Sequence, residues 1–171
     1  MQSYISQPCS RKDIRLLALE VRKTLRLENV VYFPIVQLLE LMYELFPNYH
    51  FEVVEDCEFS HDLHAETDVE SHAIRIKQSV YDGACMGKGR DRMTIAHEIG
   101  HYLLLCICGF KFQRNYASVS IPVYRDPEWQ ASCFAGELLV AAHLVKGMTP
   151  DEISRMCGVS MPAAKKQWGE L

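Results

Sequence analysis

The stretch "TIAHEIGHYLLL", residues 94–105, decides how this chain is read. Two histidines, His97 and His101, stand four residues apart, and Glu98 directly follows the first. Ile95, Ile99, Leu103 and Leu104 surround them and suit a helix. On a helix, residues four apart lie one above the other on the same face. Both imidazoles are then offered to one point from a rigid rod. Zinc takes neutral imidazole nitrogens at about 2.0–2.1 Å and favours tetrahedral four-coordination. A hydrolytic site needs a third protein ligand and leaves the fourth position for water. Glu98 is placed to take a proton from that water, whose pKa zinc brings down to about 7. Histidines alone would suit a structural site; the intervening glutamate sharpens the reading toward hydrolysis. The competing reading is a core helix with two satisfied histidines. Asp91 can cap this helix and Gly109 can end it. Gly100 spares a neighbouring strand or substrate a bulky side chain.

The third ligand is sought in "EWQASCFAGELLVAAHLV", residues 128–145, a run apolar on nearly every side and therefore read as a buried helix. Asp126-Pro127 starts it, with a cap followed by proline at the first helical position. The run carries two carboxylates, Glu128 and Glu137, nine residues apart and so on opposite faces. Ala131, Ser132 and Ala135 share the Glu128 side and would let it approach the histidine helix. Glu128 is therefore favoured. Glu137 is the alternative, with a salt bridge or an exposed helix edge as its other role. His143, Asp126 and the loop histidines His61 and His64 stay open behind them.

Around these segments the chain reads as helices, a small sheet, then helices, an α+β order. Ser10 caps a first helix whose stripe is Ile14, Leu17, Val21 and Leu25. A second helix, "PIVQLLELMYELFP", is bounded by prolines. "HFEVVED" and "HAIRIK" read as strands, the second half-buried by its alternation. Residues 59–71 between them read as a polar loop or irregular hairpin. Residues 80–86 read as a helical turn, and 110–125 as a loop. Thr149-Pro150-Asp151-Glu152 forms a capping box before a last pair of short helices broken near "GVSMP".

The 171 residues fit one domain, with N-terminal helices over 1–48, the sheet and site helices over 49–146, and a helical segment over 147–171. Eighteen basic residues against twenty-two acidic ones leave a net charge of -4, which argues against a dedicated nucleic-acid binder. Seven cysteines at irregular spacing are not a disulfide framework. Cys106 and Cys108 point about 200° apart on a helix, which is not a zinc-knuckle geometry. No signal peptide or bilayer-spanning stretch is visible, and the expected location is the cytoplasm.

Several stretches together resemble the ImmA/IrrE metallopeptidases. They are "IRIKQSVYDGACMGKGRDRMTIAHEIGHYLL", "EWQASCFAGELLV" and "DEISRMCGVSMPAAKK", in that order, over roughly the last two-thirds of the chain. The chain departs from the pattern where many members have Met-Pro; here Val140-Ala141 follows Leu-Leu. The resemblance implies a zincin-like fold, a small twisted sheet beside the active helix. It implies His97, His101 and Glu128 as Zn²⁺ ligands and Glu98 as general base. It also implies cleavage of a helix-turn-helix repressor, often encoded beside the peptidase on mobile elements.

The expected function is thus a zinc endopeptidase acting on a regulatory protein. Two rivals are a non-catalytic module that grips a transcriptional regulator and a DNA-binding regulator using the C-terminal helices. Tyr102, Tyr116, Tyr124, Arg92 and His143 are candidates for an oxyanion donor, with none preferred.

Overall fold

The computed structural model describes residues 3–107, 113–115 and 122–171. Among them the order is β1 (Ser3–Ile5), α1 (Arg11–Thr24), α2 (Ile35–Leu45), β2 (His50–Val54), β3 (Ala65–Asp68) and β4 (Ala73–Lys77). Then follow α3 (Gln78–Cys85), α4 (Gly89–Tyr102), β5 (Gln113–Asn115), α5 (Pro127–Leu139), α6 (Pro150–Cys157) and α7 (Met161–Trp168). The chain is α+β. Its three-stranded sheet runs β2-β4-β3, with β2 parallel and β3 antiparallel to β4. β1 and β5 form a separate antiparallel pair.

β4 is the central strand, and it is more buried than its alternation suggests. Ile74 and Ile76 are fully buried on one face, and Ala73 and Lys77 are buried as well. Lys77 is held there because its Nζ donates to the Ser60 carbonyl at 2.9 Å. Arg75, on the other face, lies in register with Glu52 of β2 and Glu66 of β3 and pairs with both. Opposite charges directly across a ladder favour this register over its neighbours. The polar stretch 59–71, expected as loop or irregular hairpin, contains the edge strand β3.

α1 starts at a capping box, in which Ser10 and Asp13 each satisfy the other's backbone N–H. Its stripe turns inward as expected at Ile14, but Arg22 is also fully buried. The guanidinium of Arg22 donates to the Leu138 carbonyl through Nε at 2.9 Å and Nη2 at 2.6 Å. This cation at the last turn of α5 helps end that helix at Leu139. The helix expected to continue to residue 145 therefore stops short. His143 lies beyond α5, and its Nε2 approaches the Glu28 carbonyl at 2.8 Å.

α5 begins as expected, with Asp126 accepting from the Glu128 N–H at 3.0 Å and Pro127 at the first position. It is buried on nearly every side and packs against both α1 and α4. At Gly100 of α4 a Cβ would stand 3.1 Å from both the Ala131 carbonyl oxygen and a Phe134 ring carbon. The missing side chain thus admits α5, rather than a strand or substrate. α4 starts two residues earlier than the expected Asp91 cap, which places Asp91 in its first turn. Gly89 permits this start, because a Cβ there would lie 2.5 Å from the backbone of Val159 and Ser160. Beyond Tyr102 the helix widens into a π-turn over Leu103–Ile107. Gly109, Cys108 and Tyr116 lie outside the described residues.

α6 carries the expected capping box and ends at Gly158, whose φ of 64° suits glycine. Arg92 ties this segment to α4. Its Nε donates to the Gly158 carbonyl at 2.9 Å and its Nη2 to the Phe33 carbonyl at 2.8 Å. Among the described residues no helix is long and apolar enough to cross a membrane.

Candidate metal centre

The partly exposed stripe of α4 runs through Arg90, Thr94, His97 and His101, the spacing of one helix face. α5 flanks one side of this stripe. The close approach at Gly100 brings the first turn of α5 level with the histidines. There the nitrogens of His97 and His101 and the carboxylate of Glu128 converge. The His97 and His101 Nε2 atoms are 3.0 Å apart. Glu128 Oε2 lies 3.2 Å from His97 Nε2, and Oε1 lies 3.4 Å from His101 Nε2.

These separations test whether a metal ion fits. Ligands about 2.0–2.1 Å from a tetrahedral zinc stand about 3.3 Å from one another. The two nitrogens stand 3.0 Å apart, each faces a different Glu128 oxygen at 3.2 and 3.4 Å, and one ligand atom from each of the three residues lies within 4.8 Å of the others, so a modest turn of the carboxylate gives two nitrogens and one oxygen, a donor set zinc accepts. The residues fit the ion. The Glu128 carboxyl is held well below the usual carboxylate range, first by its hydrogen bond to His101 and next by that to His97. Its side chain is 73% exposed, against 23% for His97 and 13% for His101, so the cluster opens to solvent on the Glu128 side.

Two further residues support the cluster, and no motif in the sequence assigns either a role in its chemistry. Ser132, one turn beyond Glu128, places its Oγ 3.3 Å from His97 Nδ1. A partner on the far ring nitrogen fixes which nitrogen faces the ligand point. Thr67, in β3, donates from Oγ1 to Glu98 Oε2 at 2.7 Å and lies 3.1 Å from the Glu98 carbonyl oxygen. Glu98 itself is buried. Ser132 carried a signal, since it shares the Glu128 face at helical spacing. Thr67 carried none, because its strand was concealed in a polar stretch.

The remaining candidates lie elsewhere. Glu137 has a fully buried side chain that accepts from Arg11 Nη1 at 2.9 Å, Arg15 Nε at 2.8 Å and Arg15 Nη2 at 3.1 Å. Asp126 caps α5. His61 is fully exposed beside Asp62, and Arg90 donates to His64. Tyr102 is buried against Phe46, Tyr49 and His72, and Arg92 spends its donors on carbonyls. Tyr124 is half exposed in the turn before α5.

No protein-family model and no curated protein matches the chain. Among solved structures, one described as a Mycobacterium tuberculosis transcriptional regulator aligns with a TM-score of 0.58 at 16% identity. The alignment covers 90% of this chain and 45% of that one, so this chain spans less than half of its neighbour's length. The likeness is one of fold.

Proposed function

We propose that this chain is a zinc-dependent endopeptidase with a zincin-like fold, acting on a regulatory protein. A helix-turn-helix repressor is the substrate that the ImmA/IrrE resemblance implies. The observation that carries this reading is the convergence of His97, His101 and Glu128, whose ligand atoms lie within 4.8 Å of one another, with Glu98 buried on the helix of the histidines. The three would hold Zn²⁺, which when bound supplies Lewis acidity for water and the scissile carbonyl.

The chain's own residues do the rest. Glu98 accepts a proton from the attacking water and passes it to the leaving amine. Thr67 is suited to both protonation states of Glu98. Its single hydroxyl hydrogen serves the carboxylate while Glu98 is ionised. Once Glu98 holds the proton, it can donate to Thr67 Oγ1, and the threonine hydrogen turns to the Glu98 carbonyl within reach at 3.1 Å. Ser132 keeps His97 oriented. The solvent-open side at Glu128 gives a polypeptide access.

A second reading is a non-catalytic regulator, gripping a transcription factor or binding DNA through α6 and α7. It is favoured by the description of the neighbouring structure as a transcriptional regulator. The two separate cleanly. Protein purified without added metal or a histidine tag should carry about one zinc per chain, and Glu128→Ala should release it. Glu98→Gln should retain zinc and abolish cleavage of a cognate repressor. Full activity in Glu98→Gln sinks the mechanism, and no zinc after reconstitution at neutral pH turns the reading to the regulator.

A further inference from the structure

We infer that Arg90, with His64, forms a substrate subsite for an acidic side chain three or four residues from the cleaved bond. This rests on the peptidase reading above and names the substrate class for it. β3 and α4 run side by side and touch at two levels. Thr67 meets Glu98 at one, and His64 meets Arg90 at the other. Three residues of strand span about 10 Å, and eight residues of helix span about 12 Å, so the two contacts are compatible with near-parallel elements. The partly exposed stripe of α4 beside these contacts runs from the candidate metal ligands back to Arg90.

The outer edge of β3 is available to a peptide. Lys77 N–H donates to the His64 carbonyl, which makes His64 and Lys77 a hydrogen-bonded pair. By alternation Glu66 and Asp68 also face β4, whereas the backbone groups of Ala65 and Thr67 face away from it. An extended segment pairing antiparallel with that edge passes the metal ligands and then Arg90. From His97 to Arg90 is about 10 Å along the helix, three residues of extended chain, and the reach of the side chain makes this three or four.

The charge at this end is specific in sign. Arginine has no acceptor, so His64 Nε2 accepts from Arg90 Nη2. The permanent charge of the pair is that of the Arg90 guanidinium. Among the described residues no carboxylate pairs with Arg90, although the chain has more acidic than basic groups. Asp56 lies within electrostatic range of His64, but its carboxylate accepts the Ser79 N–H at 3.0 Å. An exposed guanidinium that no carboxylate pairs among the described residues, on the same stripe as the candidate metal ligands, suits an aspartate or glutamate of the substrate, with His64 holding it in place.

The test digests a proteome-derived peptide library with the zinc-loaded protein and reads residue preference on each side of the cleaved bonds. Acidic residues should be enriched at the third or fourth position on the C-terminal side. In a peptide taken from that set, glutamine for that glutamate should lower kcat/KM at least about threefold, and added salt should shrink the ratio. Arg90→Glu should reverse the preference to lysine. Anisotropy of the same two peptides on Glu98→Gln should show the same ratio in binding, without turnover. Cleavage with a flat profile there, or an unchanged preference in Arg90→Glu, overturns the subsite and leaves the peptidase reading standing. No cleavage of any library peptide counts against the peptidase reading and takes the subsite with it.

Discussion

Replacing Glu137 by glutamine separates the two carboxylates of α5, because it should cost stability and leave metal binding intact. The Glu137 side chain is 0% exposed and accepts three hydrogen bonds from Arg11 and Arg15, whose side chains are 18% and 35% exposed. Glutamine preserves the shape, removes the charge and turns one acceptor into a donor facing a guanidinium. Breaking a buried ion pair costs about 3–5 kcal/mol. Both guanidinium groups retain some water, which places the expected loss at the lower end, about 3 kcal/mol. An unfolding entropy of about 2.1 cal/mol/K per residue gives about 0.36 kcal/mol/K for 171 residues. The melting temperature should then fall by about 8 °C. Scanning calorimetry measures it, and metal analysis of the same sample should show zinc unchanged. A fall below about 2 °C would refute the ion-pair account. Lost zinc with an unchanged melting temperature would make Glu137, not Glu128, the ligand.

Thr67→Val removes the hydroxyl from Glu98 and should lower kcat by about tenfold or more, with zinc content unchanged; Thr67→Ser should restore most of it. An unaltered kcat in the valine variant would deny Thr67 any part in positioning Glu98. Gly89→Ala sets a methyl group 2.5 Å from the backbone of Val159 and Ser160, so it should destabilise by more than an ordinary surface change, about 2 kcal/mol or above. A denaturant midpoint equal to the parent's would contradict that close approach. Asp13, Asp56 and Asp68 are held below their ordinary value of 3.8 chiefly by bonds to Ser10, Ser79 and Ser71, and Glu152 below 4.5 chiefly by the Thr149 N–H. Groups lowered on folding contribute stability that is fully present above their unfolded values and is lost as pH falls through the folded ones. Urea midpoints should therefore fall as the pH is taken below 4.5 and again below 3.8; a midpoint that rises over that interval would mean these caps are not formed.

Local patterns were readable along the chain because they depend on near neighbours. The Ser10 cap, the capping box at Thr149, the Asp126-Pro127 start and the stacking of His97 over His101 all follow from short spacings. The opposition of Glu128 and Glu137 was equally plain, since nine residues of helix separate them by half a turn. Patterns failed where a distant partner set the outcome. α5 was expected to run to residue 145, and it stops at Leu139 beside the guanidinium of Arg22, more than a hundred residues earlier. α4 starts before Asp91 because Gly89 lies against the backbone at Val159. β3 reads only as loop or irregular hairpin because its Ala65–Asp68 alternation places acids on the exposed side, where they resemble a loop.

Residue types and their periodicity thus put His97 and His101 on one face of a helix, Glu98 beside that face, and Glu128 opposite Glu137 on a second helix. Periodicity acts within one element and is silent on how far apart two elements lie. Only the packed chain decided that Gly100 admits Ala131 and Phe134, which brings Glu128 within 3.4 Å of His101. It also committed Glu137 to Arg11 and Arg15, set Thr67 against Glu98, and left Arg90 without a carboxylate among the described residues. Each of these depends on contacts between residues far apart in sequence, and the free energy that selects them arises only when the faces close on one another.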